Sequence, residues 1–166
     1  MTPWAKKTMK SRFKYIGIDP GASGGIAVIH NGKIKAYKCP KSSEDMAILF
    51  QMCMGSTTAA DIRLLMERVW ARPTNAVRAA FSYGVNYGQW LGITATHEVQ
   101  MNTVIPVSWI KYVGCPKALK RDVRKRWLKQ KASDLYPSIK RVTLATADAI
   151  LIAHYAEKEY FDEKKL

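Results

Sequence analysis

The chain has 166 residues, 48% of them hydrophobic, enough for one domain with a core of its own. Its 27 Lys and Arg against 13 Asp and Glu give a formal net charge of +14, well beyond what solubility requires and in the range of proteins that neutralise phosphate backbones. Cys39, Cys53 and Cys115 form no CxxC pair and no stretch approaches 18 apolar residues, which argues against a disulfide framework, a structural zinc site and a membrane span, and points to a reducing cytoplasm.

Residues 1–13 are basic and lack the apolar stretch of a signal peptide, so a flexible arm is expected, either touching DNA or simply solvated. Residues 14–160 read as the single domain and 161–166 as a tail. Residues 14 to 19 predict a strand ending on Asp19, followed by the turn Pro20-Gly21-Ala22-Ser23-Gly24-Gly25. Ile26 to Ile29 form a second strand. Asn31-Gly32 is a hairpin signal, and Ile34, Ala36 and Tyr37 continue a third strand, making an antiparallel meander.

Residues 42 to 54 predict a helix capped by Ser42 or Ser43, with Met46, Leu49, Phe50 and Cys53 at helical spacing. Ile62 to Met66 is a buried fourth strand that delivers Glu67. Residues 75 to 95 are helical, and Gly84, Gly88 and Gly92 recur on one face. Each glycine costs roughly 1 kcal/mol relative to alanine, so the face needs a packing reason, and packing within the chain is the simpler expectation over a second subunit. Val99 to Ile105 fits a fifth strand and Val107 to Tyr112 a short helix with Trp109 inward.

Between Lys111 and Arg141 stand eleven Lys or Arg against only Asp122 and Asp134. Over Leu119 to Tyr136 the apolar positions 119, 123, 127, 128, 132 and 135 form one helical stripe and cations cover the rest, a pattern that favours backbone binding over an ordinary solvated face of mixed sign. A last helix starts at about Thr146 with Asp148 in its first turn, where a carboxylate also suits the helix dipole.

Asp19, Glu67 and Asp148 thus sit at the ends of core-forming segments, where unpaired carboxylates are costly. Two strand ends and a helix start can converge on one edge of a mixed sheet, and three such acids suggest a shared cation or a shared catalytic task; Mg²⁺ suits an all-oxygen, partly hydrated site. Two such ions bridged by carboxylates activate water and stabilise the leaving oxygen of a phosphodiester.

Ile16-Gly17-Ile18-Asp19-Pro20-Gly21 with Gly24-Gly25-Ile26-Ala27, then Met66-Glu67-Arg68-Val69-Trp70, then Ala147-Asp148 through Ala153, resembles the RuvC family of Holliday-junction resolvases, phage-type branch. The likeness runs in order from about residue 14 to 157 and includes the glycine-bearing helix and Pro106-Val107-Ser108-Trp109. It implies an α/β, RNase H-like fold with a five-stranded mixed sheet (β-β-β-α-β-α-β-α) flanked by helices. It further implies a homodimer joined through the Gly84/Gly88/Gly92 helix, making paired nicks in four-way or branched DNA. Asp19, Glu67 and Asp148 would hold Mg²⁺ or Mn²⁺, two ions per site. Lys120 would act near the scissile phosphate with Lys117 nearby, and Trp70 would stack on bases. Arg72, Arg121, Arg124 and Lys125 complete the expected DNA-binding set.

The sequence departs from the family where a fourth acid or histidine precedes the final aspartate, because Leu144, Ala145, Thr146 and Ala147 offer none. Thr143 or Thr146 would hold at most a metal-bound water. A three-carboxylate enzyme, a chain altered to block cleavage and a junction binder that cuts poorly all fit this departure. Two readings compete with a nuclease. The Asp19–Gly25 turn also resembles the phosphate loop of actin-like kinases, which need a second large half to enclose ATP. A non-catalytic, structure-selective DNA-binding protein would keep the basic helix and Trp70 and tolerate loss of the acids. His154 is expected to be a surface or packing histidine.

Overall fold

The computed structural model describes residues 11–70 and 76–161, and the expected arm and tail fall mostly outside them. Strands β1 (Lys14–Asp19), β2 (Gly25–His30) and β3 (Lys33–Lys38) form the antiparallel meander. On the other side of β1, β4 (Ile62–Glu67) and then β5 (Met101–Val104) run parallel to it, giving the order β3-β2-β1-β4-β5. Ile18 pairs with Met66, so Asp19 and Glu67 emerge side by side at the same ends of adjacent parallel strands. Asn31 and Gly32 take the positive φ values, 52° and 72°, that a two-residue hairpin turn demands.

The sheet is covered on both faces because its central strands are apolar on both. Ile16, Ile18, Ile26, Leu64 and Met66 pack against α1 (Ser43–Met54) and α2 (Val77–Thr96) through Met46, Phe50 and Trp90. Ala27, Ile29 and Leu65 pack the other way, against Ala149, Ile150 and Ala153 of α5 (Leu144–Tyr155). Each Ile, Leu, Met or Phe among them contributes roughly 1.5–3 kcal/mol when fully buried. Helix α4 (Arg121–Leu135) lies on α5, burying Leu128 and Ala132 while its cations face solvent, and α3 (Pro106–Tyr112) buries Trp109. Helix α5 lies directly on the backbone of β1, since a Cβ on Gly17 would stand 2.3 Å from the Ala153 nitrogen and 2.5 Å from the Ala149 oxygen. No described helix is long and apolar enough to cross a membrane.

Two expectations are corrected. Helix α5 begins at Leu144, two residues before the expected start, because the Thr143 and Thr146 hydroxyls each accept the other residue's backbone N–H in a capping box. Asp148 therefore lies in the second turn, where the helix dipole does little for it. The glycine face of α2 is not packed within the chain: a Cβ at Gly84, Gly88 or Gly92 would meet nothing within 4 Å. Val77 (86% exposed), Phe81 (73%) and Leu91 (41%) fall in step with Gly84 and Gly88 at alternating spacings of four and three residues. This makes an open seam of heptad type.

Candidate active site

Asp19 and Glu67 are delivered by the ends of β1 and β4, and Asp148 by the second turn of α5. All three line one cleft of about 540 Å³. Burial is the leading influence on each, and it raises all three pKa values. Asp19 is held well above the usual carboxylate range, first by burial and then by the charges of Asp148 and Glu67. Glu67 is pushed up to about 7 by burial, offset in part by a hydrogen bond and increased by the charge of Asp148. That bond is donated by the Trp109 indole N–H to Oε2 of Glu67 at 2.8 Å. Asp148 is raised by burial and drawn back by Lys125 and then Arg124.

Of the expected DNA-binding residues, Trp70, Arg121, Arg124 and Lys125 line this cleft. Trp70 is 53% exposed, so its ring is available for stacking. Lys120 stands at the N-cap of α4 and Lys117 in the preceding loop; both are exposed, and neither is part of the cleft wall. Arg72 lies outside the described residues. Four polar or aromatic cleft residues carry no site role in the sequence reading: Ser23, Arg68, Tyr83 and Trp109. Arg68 was signalled by its place next to Glu67. Trp109 read as an inward aromatic, but its acceptor lies 42 residues away and no local pattern reveals it. A second groove, of about 590 Å³, shares Ser23, Tyr83 and Lys125 with the cleft and adds Lys38.

The cleft offers carboxylates with no histidine or cysteine beside them, a donor set for hard, oxygen-preferring cations such as Mg²⁺ and Mn²⁺. The acids repel one another and form no salt bridge among the described residues. An added cation would relieve that repulsion, so the residue set fits a divalent ion. Among the described residues, no three His, Cys, Asp or Glu side chains are gathered as closely as ligands of a single ion. Leu144, Ala145, Thr146 and Ala147, just before Asp148, bring no carboxylate or imidazole to the site, and the Thr143 and Thr146 hydroxyls are engaged with each other, 3.1 Å apart.

The fold is RNase H-like, a mixed five-stranded sheet between helices, and in particular it is the fold of RuvC. Thermus thermophilus RuvC in complex with a Holliday junction substrate aligns with a TM-score of 0.55 and 15% identity, over 87% of this chain and 95% of that one. A second T. thermophilus RuvC structure aligns with a TM-score of 0.50 and 14% identity, over 87% and 96% of the two chains. No protein-family model and no curated protein sequence matches the chain.

Proposed function

We propose that this protein is a divalent-metal-dependent endonuclease that resolves Holliday junctions and related branched DNA, two copies making paired nicks. The observation that carries the reading is the cluster of like-charged, buried carboxylates Asp19, Glu67 and Asp148 facing Arg124 and Lys125 in one cleft. Resemblance in fold to a RuvC structure that contains a Holliday junction substrate supports the choice of DNA.

In this reading Asp19, Glu67 and Asp148 hold Mg²⁺ or Mn²⁺. The bound ion would supply Lewis acidity at the phosphate and lower the pKa of water. Trp109 holds the Glu67 carboxylate in place through its N–H. Arg121, Arg124 and Lys125 offset phosphate charge along the cleft. Lys117 and Lys120 meet the backbone ahead of α4, Lys120 being assigned to the scissile phosphate on the sequence resemblance, with Arg72 among the DNA contacts. Trp70 stacks on unpaired bases at the branch point. The open glycine seam of α2 would let the same helix of a second copy approach closely, and a dimer joined there would bring two sites to one junction.

The test is nicking of a labelled immobile four-way junction with Mg²⁺ or Mn²⁺ beside a matched linear duplex. Symmetric nicks in the junction alone, lost in Asp19→Asn, are expected. Cytoplasmic action follows from that substrate. A second reading, a junction binder that does not cut, is favoured by Ala145 at the fourth-ligand position. Tight junction binding without nicks, not restored by Ala145→Asp, would establish it instead.

A further inference from the structure

We infer that Asn86 is a positioning residue for Asp19, acting through the turn that follows it; the inference deepens the nuclease reading and rests on it. Asn86 projects from the sheet-facing side of α2 and is 8% exposed. Its Oδ1 accepts the Gly21 N–H at 2.7 Å. A backbone N–H can only donate, so this contact fixes the orientation of the amide and turns Nδ2 toward the Sγ of Cys39 at 3.4 Å.

From Cys39 the connections return to the turn. The Cys39 N–H donates to the Gly24 oxygen at 2.9 Å, and the Gly24 N–H donates to the Gly21 oxygen at 3.0 Å. Asn86, Cys39, Gly24 and Gly21 thus form a closed circuit of four hydrogen bonds. That circuit lies directly against Asp19: a Cβ on Gly24 would stand 2.1 Å from the Asp19 oxygen and 3.1 Å from its Cγ. Gly21 has φ +128°, a conformation other residues rarely adopt, so the turn has little intrinsic preference for this shape and depends on its contacts. Three residues before Asn86 on the same helix, the Tyr83 ring lies 3.1 Å from where a Gly21 Cβ would be. Helix α2 therefore grips the turn twice, once by hydrogen bond and once by packing.

An amide suits this task where a carboxylate would not. The site already holds three acids, and a neutral acceptor fixes the turn without adding a fourth charge beside them. An apolar residue of the same size would leave the buried Gly21 N–H unpaired.

The test compares the parent with Asn86→Leu and with Cys39→Ala, which removes the sulfur but leaves the Gly21 bond. In metal-free parent protein the Gly21 amide should exchange with solvent much more slowly than that of exposed Ser23. In Asn86→Leu it should exchange about tenfold faster than in the parent, the scale of one buried hydrogen bond. Calorimetric Mn²⁺ affinity should fall by a similar factor. Single-turnover nicking at saturating junction should drop at least as much while junction affinity in Ca²⁺ stays within about threefold, the split expected when only transition-state geometry is lost. Cys39→Ala opens the circuit only at the Asn86 Nδ2 contact and keeps the Gly21 bond, so its loss of rate should be clearly smaller than that of Asn86→Leu. A folded Asn86→Leu protein with parental nicking and Mn²⁺ affinity overturns the inference. If that variant does not fold, free exchange of Gly21 in the parent overturns it and protection supports it. If the parent cuts no junction, the nuclease reading fails separately, and Gly21 exchange still decides the role of Asn86.

Discussion

Helix α5 carries an acid and a histidine six residues apart, Asp148 and His154, and their surroundings are opposite. His154 is half-buried, with Nδ1 2.9 Å from the Tyr136 hydroxyl and the Tyr112 and Tyr136 rings beside it. Burial first, then Lys158, pulls its pKa down, so it sits neutral and paired. Asp148 is raised by burial and faces Asp19 and Glu67, which share its sign. A buried group with its partner in place is explained by structure alone. Three acids in one cleft, which Lys125 and, for Glu67 and Asp148, Arg124 draw back only in part, have no salt-bridge partner among the described residues, and this is what the proposed metal would supply.

The sharpest way to break the comparison is to neutralise each side. Asp148→Asn should lower junction nicking by about 10²–10³-fold, the scale of losing one preorganised charge-stabilising group, and should raise the melting temperature of the metal-free protein. His154→Asn should leave nicking within about threefold, because His154 lies outside the cleft lining.

The next effect is one of pH. The folded state favours the neutral form of Glu67, raised from the usual 4.5 to about 7. Below 4.5 the group is protonated folded or unfolded, and the associated stability is fully present. As pH rises through about 7 the folded chain must ionise it, and that stability is lost, about 3 kcal/mol for this group in the metal-free protein. Melting in EDTA from pH 4.5 to 8 should show the decline, and added Mg²⁺ should restore the lost part above pH 7. A flat profile would mean that the acids are not desolvated together.

Smaller again is Trp109→Phe, which keeps the ring and removes the donor to Glu67. A hydrogen bond to a charged group is worth about 1.5–3 kcal/mol, and its loss should move the midpoint of that pH transition upward and reduce nicking at neutral pH. The least effect belongs to the paired side. Tyr136→Phe should cost about 0.5–1.5 kcal/mol by urea unfolding and leave the nicking rate unchanged.

Most of the fold was legible in the sequence because its signals are local. The Asn31-Gly32 turn and the apolar runs before Asp19 and Glu67 each report on a few neighbouring residues. The start of α5 was displaced because two threonines three apart cap each other, and a threonine pair carries a weaker signal than Ser or Asp with Glu. The α2 glycines were legible as a face but not as an open one, since whether a face is covered depends on elements distant in sequence. The site divides the same way. Asp19, Glu67 and Asp148 stood out because acids interrupt apolar segments, and the structure brings them into one cleft. The partners that hold the site, Trp109 for Glu67 and Asn86 for the Asp19 turn, act across 42 and 65 residues. Among the cations, position on α4 decides which face the acids: Arg124 and Lys125 reach the cleft and Lys120, at the helix cap, does not.

The spacing between Asp19 and Asp148 is set by an atom that the chain lacks. Both sit beyond Gly17, where α5 rests on bare β1 backbone with its Ala153 nitrogen 2.3 Å from any would-be Cβ. The smallest possible enlargement, one methyl group, must lever the helix away from the strand and carry Asp148 with it. Position 17 is thus a gauge as well as a packing site: an alanine Cβ there would meet backbone atoms of α5 at 2.3 to 2.8 Å, so abundance and the setting of the two acids should suffer together.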